Sequence, residues 1–171
     1  MIILKKLELT YKDIILYIFT FVIIVAGDQL TKVIVDSTMK LNQGYEIIEN
    51  FFYFTYTHNY GAAWGIMQGK LTFFFGISIL ATIGIVYSFL ESKPYQHITR
   101  FGLVVFFSGM IGNLIDRLSL GYVRDFIDFI IFGYDFPIFN IADIAVCLGV
   151  GLIMLEVIVE EYKTWKISKS L

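Results

Sequence analysis

The sequence predicts a membrane protein: a four-transmembrane-helix bundle with a small β-sheet or extended segment on its outer membrane face. Three observations lead there. Apolar residues make up 57% of the 171 positions and charged residues only 16%, with a net charge of −2, whereas soluble domains run at ~45–50% apolar and ~25% charged. Mean hydropathy is +0.74, and four stretches reach the about 20 mostly apolar residues that a helix needs to cross a bilayer core. The connection between the first two stretches holds an aromatic, β-branched run too short to cross as a helix.

In chain order, the first span is Ile14–Val35. Lys5 and Lys6 precede it as in a secretory signal, but no small-residue cleavage site follows and the apolar run continues too long, so it is expected to be retained. Phe51–Thr57 (FFYFTYT) reads as a strand or strand pair. An open sheet edge cannot face hydrocarbon, so this segment is placed on the outer membrane surface, where Phe and Tyr suit the headgroup zone. The second span, Leu71–Leu90, carries no charge; the third, Ile98–Ile115, has Arg100 at its start; the fourth, Ile141–Val159, is interrupted only by Asp143 and Glu156. One domain covering 1–171 holds them all. Lys5, Lys6, Lys12, Lys93, Arg100, Lys163, Lys166 and Lys169 fall on the side of the termini, against Lys32, Lys40, Lys70, Arg117 and Arg124 on the other. Eight against five predicts cytoplasmic termini.

Composition also excludes function classes. Thirteen Lys and Arg against fifteen Asp and Glu leave no basic field for nucleic acid. A single cysteine, Cys147, excludes an internal disulfide and a multi-cysteine metal site, and His58 and His97 form no HExxH pattern.

Alternating topology brings three polar clusters to one membrane depth, near the outer surface: Asp28 and Lys32, then Asn113, Asp116 and Arg117, then Asn140 and Asp143. Ionisable residues inside spans are costly and face an interior or a wet cavity, so the convergence reads as a site. Taken singly, each cluster also has a structural reading. Asp28 and Lys32 share a helix face and can form an ion pair. Asp116 stands beside Arg117, which suits an ionised anchor better than proton exchange. Asn140 can cap the fourth span with Asp143 as its third helical residue, where a carboxylate meets the helix dipole favourably. Asn59-Tyr60-Gly61-Ala62-Ala63-Trp64-Gly65 reads as a tight turn with an interfacial Trp64, or as a close backbone approach with Asn59 as donor and acceptor.

The sharper reading pairs Asp125, from the run Tyr122–Phe129 (YVRDFIDF), with Asp143. Two adjacent carboxylates share a proton. The ionised member takes a proton from an attacking water, and the protonated member hydrogen-bonds the scissile carbonyl and later protonates the leaving amine. Asp143, at a helix N-terminus, is expected to be the ionised one, although the pair titrates as a unit. This chemistry needs no cofactor. Two other readings use the same residues: a Ser–Lys peptidase with Lys32 as base and Ser108 or Ser119 as nucleophile, and a small ion transporter built on Asp28, Asp116 and Asp143. A GxGD block, as in presenilin-like and prepilin peptidases, is absent.

DQLTK at 28–32, NYGAAWG at 59–65, GNLIDR at 112–117, VRDF at 123–126 and FNIAD at 139–143 resemble, in order and spacing, the lipoprotein signal peptidase (signal peptidase II) family. The resemblance implies a bacterial inner-membrane aspartyl endopeptidase that cuts prolipoproteins just before a diacylglyceryl-modified cysteine, with Asp125 and Asp143 as the catalytic pair. Asn59, Gly61, Asn113, Arg117 and Asn140 match positions that line the substrate and inhibitor site, and Asp28, Lys32 and Asp116 match supporting positions. It further implies lipidated prolipoproteins, membrane lipid and globomycin-type inhibitors as partners, with a monomer sufficient. One departure is Ser108 in place of the first glycine of the block often written GGxxGN. Asp128, outside the matched block, is expected not to be catalytic.

Overall fold

The structure is a computed structural model that describes residues 8–61 and 69–169. Lys5, Lys6, Trp64 and the rest of 62–65 in the small-residue block lie outside the described residues. Among the described residues the elements are α1 (Tyr11–Thr38), β1 (Gly44–Ile48), β2 (Phe52–Asn59), α2 (Leu71–Glu91), α3 (His97–Leu120), β3 (Val123–Ile131), β4 (Tyr134–Asp135) and α4 (Ile141–Ser168). All four helices are long and apolar enough to cross a membrane. Their outward faces stay apolar, with Ile18, Leu80, Ile83, Met154 and Ile158 exposed, as suits helices whose surroundings are lipid tails.

The helices overrun the apolar stretches. α1 begins three residues before Ile14 and ends three after Val35, α3 continues five past Ile115, and α4 continues nine past Val159. Hydrophobicity marks where a helix meets hydrocarbon, whereas caps mark where it ends. α1 starts at a capping box in which Thr10 and Asp13 satisfy each other's backbone N–H groups. α3 stops at Gly121, whose φ of 84° is the left-handed conformation that turns the chain out of a helix.

α3 and α4 cross closely along a seam of small residues. A Cβ on Gly149 would lie 2.5 Å from the Phe106 amide nitrogen, so only glycine permits this approach. Ser108 is fully buried and its hydroxyl donates to the Val104 carbonyl of its own helix at 2.7 Å. At the end of the bundle where α1 begins and α4 ends, the polar interruptions serve helix ends. Glu156 of α4 accepts the Thr99 N–H in the first turn of α3, and Arg100 donates to the Ser92 hydroxyl at 2.7 Å and carbonyl at 3.0 Å, closing the α2–α3 connection.

At the opposite end stands a four-stranded antiparallel sheet in the order β1-β2-β3-β4. Phe51–Thr57 supplies a single strand, β2, and its central partner is β3, the Tyr122–Phe129 run that alternation alone does not single out as a strand. Thr57 pairs with Asp125 and Asn59 with Val123. An irregularity in β2 between Phe54 and Thr57 accompanies the burial of Tyr56 against Val35 and Phe126. The Tyr56 hydroxyl donates to Asp36 at the end of α1 at 2.6 Å, pinning the sheet to the bundle.

Gly112 illustrates how tightly this end is built: a Cβ there would sit 2.6 Å from Asp28 Oδ2. Gly112→Ala is expected to lower stability by about 1–3 kcal/mol, the usual cost of overpacking, read as a depressed melting temperature in detergent. An unchanged Tm would mean that Asp28 moves aside freely.

Candidate functional site

The site is assembled around the first turn of α4. Asn140 caps this helix: its Oδ1 accepts the Asp143 N–H at 3.0 Å, and Asp143 Oδ2 accepts the Asn140 N–H at 3.1 Å. A further backbone donor, the Ala142 N–H, is met at 2.9 Å by Asp28 Oδ1 reaching across from α1. Capping leaves Asp143 Oδ1 to accept from Asn113 Nδ2 at 2.7 Å. The Asn140 amide donates to Asp125 Oδ1 at 2.6 Å and to Asn113 Oδ1 at 3.0 Å. On the other side, Asn59 Nδ2 donates to Asp125 Oδ2 at 2.9 Å. Asn113 and Asn140 thus bridge the two aspartates, and Asp143 caps α4 while its other oxygen faces Asn113. Strand alternation explains the Asn59 contact, since Asn59 lies diagonal to Asp125 on one face of the β2–β3 pair.

Behind the aspartates lies a buried ionic cluster. Lys32 Nζ is 2.9 Å from Asp28 Oδ2 and 3.7 Å from Asp116 Oδ2, and it donates to Asn113 Oδ1 at 2.9 Å. Asp28, Lys32 and Asp116 are fully buried. The expectation that Arg117 is the cation serving Asp116 is corrected here. The partner is Arg124, which forks onto Asp116 through Nη2 at 2.8 Å and Nε at 3.1 Å. Adjacent residues on a helix do not face each other, so Arg117 points elsewhere: its Nη2 donates to the Gly61 carbonyl at 3.1 Å and its guanidinium lies 4.8 Å from the Phe74 ring centre. Gly61 in turn donates its N–H to Asn59 Oδ1 at 2.9 Å.

All ten residues singled out in the sequence therefore gather at one end of the bundle. Two that were not singled out join them. Gln29 donates to Asp28, Asp116 and the Gly112 carbonyl and accepts from Arg124. Both sit inside quoted blocks, next to Asp28 and Asp125, and a two-residue strand period through VRDF was the available signal for Arg124. Asp128 lies on the strand face away from Asp125 and accepts from the Thr55 hydroxyl at 2.6 Å. Ser108 and Ser119 donate to carbonyls of α3, while Lys32 is engaged by Asp28, Asp116 and Asn113, so no Ser–Lys pair forms among the described residues.

Asn59, Asn113, Arg117, Asp125 and Asp143 line a cavity of about 550 Å³ whose remaining wall is mainly apolar, including Phe74, Phe136, Phe139 and Ile144. Burial pushes the Asp125 carboxyl up to about 7, and the neighbouring charge of Asp143 adds to the rise. No group of three His, Cys, Asp or Glu side chains that could hold a metal ion occurs among the described residues.

Fold and site define a polytopic membrane protein with a carboxylate pair, Asp125 buried and Asp143 half-buried, facing a mainly apolar cavity at one end of its bundle. The family model for signal peptidase (SPase) II matches residues 20–159. The lipoprotein signal peptidases of Staphylococcus aureus strains JH9 and Newman are each 47% identical over 137 residues, 80% of this chain and 84% of theirs. Two solved structures, each described as a bacterial membrane enzyme structure by the in meso method, share the fold. One, at 2.3 Å resolution, has a TM-score of 0.80 at 45% identity, covering 85% of this chain and 88% of its own. The other, at 1.9 Å, has a TM-score of 0.75 at 46% identity, covering 82% and 91%. The chain belongs to the signal peptidase II family, and is thereby a membrane-embedded peptidase of lipoprotein processing.

The ionic cluster yields a stability test. Lys32→Met removes the cation shared by Asp28 and Asp116, and stranding a buried charge costs about 3–5 kcal/mol. The expected result is a large fall in Tm or in folded yield in detergent, with part of it recovered in the Asp28→Asn, Lys32→Met double variant. A single variant as stable as wild type would show that the pair contributes nothing.

Proposed function

We propose that this peptidase is an aspartyl endopeptidase in which Asp125 and Asp143 act as one acid–base unit on a water molecule. The observation that carries the reading is the pair itself: the buried Asp125 and the half-buried Asp143, bridged by Asn113 and Asn140, on the wall of a mainly apolar cavity. Asp143, held at the N-terminus of α4 with a backbone N–H on one oxygen, serves as the base that takes the proton of water. Asp125, whose carboxyl is pushed up to about 7, holds the shared proton, polarises the scissile carbonyl and then protonates the leaving amine. Arg117 is the cation of the cavity wall and suits the carbonyl groups of a bound peptide or ester.

The proposed substrate is a prolipoprotein carrying diacylglyceryl on cysteine, cut on the N-terminal side of that residue. An apolar cavity open to lipid-facing helices suits acyl chains and a signal helix that never leave the bilayer. The same cavity is the proposed binding place of globomycin-type inhibitors, and nothing in the arrangement needs a second copy. The proposed setting is the bacterial inner membrane with cytoplasmic termini. Lys163, Lys166 and Lys169 cluster with Tyr162 and Trp165 at the end of α4, as at a cytoplasmic interface. The site then lies near the outer leaflet.

Asp125→Asn and Asp143→Asn are each expected to abolish cleavage of a lipidated prolipoprotein in detergent by at least ~10²-fold, without additivity in the double variant and with melting preserved. A folded single variant keeping a tenth of wild-type turnover would overturn the mechanism at that position. Turnover, which needs one proton on the pair, should fall as pH rises beyond about 7. Stability carries the same signature. The folded chain holds the Asp125 proton more tightly than the ordinary value of 3.8 allows, so the unfolded state binds fewer protons between those values and stability declines as pH rises from about 4 to about 7. Asp125→Asn should flatten that slope; a slope that survives the substitution would assign it to another group.

A further inference from the structure

Val123 and Asp125 line the cavity, but Arg124 between them does not. It projects from the other face of β3, where it is 6% exposed. There it makes more polar contacts to the helices than any other side chain described on the sheet. Nη2 and Nε fork onto the two oxygens of Asp116 in α3, and Nη2 reaches Gln29 Oε1 of α1 at 3.3 Å. Its backbone is held too: the Arg124 N–H donates to Asp116 Oδ2 at 3.0 Å, and its carbonyl accepts from Asn140 Nδ2 at 3.4 Å. The next residue is Asp125. The Asn140 amide that touches the Arg124 carbonyl also donates to the Asp125 carboxylate at 2.6 Å.

We infer that Arg124 is a positioning residue, a two-pronged clamp that fixes the 124–125 peptide against α1 and α3 so that Asp125 stays in register with Asp143. The inference rests on the reading of Asp125 and Asp143 as the catalytic pair. A need for such a clamp follows from the architecture. Asp143 is rigidly placed by a helix cap, whereas Asp125 rides on a strand that leaves α3 through only Gly121 and Tyr122. The strand's other backbone hydrogen bonds run to β2 and β4, which would move with it, and to Phe139, the residue before the α4 cap. Phe139 ties β3 to the start of α4 and Tyr56 ties β2 to α1, while Arg124, next to Asp125, supplies side-chain anchors from β3 to α1 and α3. A misplacement of about 1 Å at reacting groups costs on the order of 10²-fold in rate. The action is geometric, because Arg124 does not touch the cavity in which substrate binds.

This separates the clamp from two simpler roles. If Arg124 only balanced the charge of Asp116, lysine would replace it, since lysine keeps the charge and loses only the planar fork. If it only supported folding, kcat per folded molecule would be unchanged. Arg124→Lys and Arg124→Gln should therefore both fold and both lower kcat, by about ten- to a hundredfold, while KM for a lipidated prolipoprotein peptide stays within about twofold. A second variant, Asp116→Asn with Arg124→Gln, removes both charges so that neither is stranded, and should show the same fall in kcat at constant KM. Wild-type kcat in folded Arg124→Lys or in the folded double variant would overturn the clamp. So would loss of folding in all three, which would make the pair a folding element. Asp125→Asn run alongside distinguishes the failures. If it is inactive while the Arg124 variants turn over normally, only the clamp falls; if it is active, the catalytic pair falls and the clamp with it.

Discussion

The first turn of α4 has backbone N–H groups that no carbonyl of its own helix can satisfy, and Asn140 and Ala142 are fully buried there. Meeting them organises this end of the molecule. Asn140 satisfies one and thereby places Asp143; Asp28 crosses from α1 to satisfy another. A buried carboxylate needs a cation, and Lys32 stands one turn on. Lys32 then reaches Asn113 and Asp116 on α3, and Asp116 takes the guanidinium of β3. A helix end thus leads, through one forced contact after another, to the attachment of the strand that carries Asp125.

The cluster closes electrically. Asp28 and Asp116 against Lys32 and Arg124 sum to zero in a region where all four are buried. Burying ions is expensive, and such groups contribute little net stability compared with apolar packing, but breaking one pair is costly. The cluster also bears on the pair in the cavity. The Asp125 carboxyl is raised by burial and by the charge of Asp143, against the hydrogen bonds of Asn59 and Asn140 and the charge of Lys32.

Much of this was legible before any coordinates. The four apolar stretches place the helices, the i, i+4 spacing of Asp28 and Lys32 announces their pair, and alternating topology brings three polar clusters to one level. The cap at Asn140 follows from its type and its distance from Asp143. Other features lay beyond a local reading. β3 mixes charges with aromatics in a run without clean alternation, and becomes a strand only through pairing with β2, 66 residues away at Asn59 and Asp125. The partner of Asp116 was misassigned to its neighbour Arg117 because adjacency in sequence is not adjacency on a helix; Arg124 reaches it only after the chain turns at Gly121. Helix ends were drawn short because hydropathy says nothing about the Thr10 and Asp13 cap.

The spacing of Asp28 and Lys32 has a consequence for how the chain enters the membrane. Both lie on α1, which emerges from synthesis before α3, β3 and α4 exist. Joined at 2.9 Å within one turn, they make the apolar stretch Ile14–Val35 electrically neutral by itself, without waiting for Asn113 or Asp116. Asp116 finds its guanidinium only eight residues later, beyond the end of α3. The first helix thus carries its own counterion, whereas the later charge at Asp116 depends on residues that follow it.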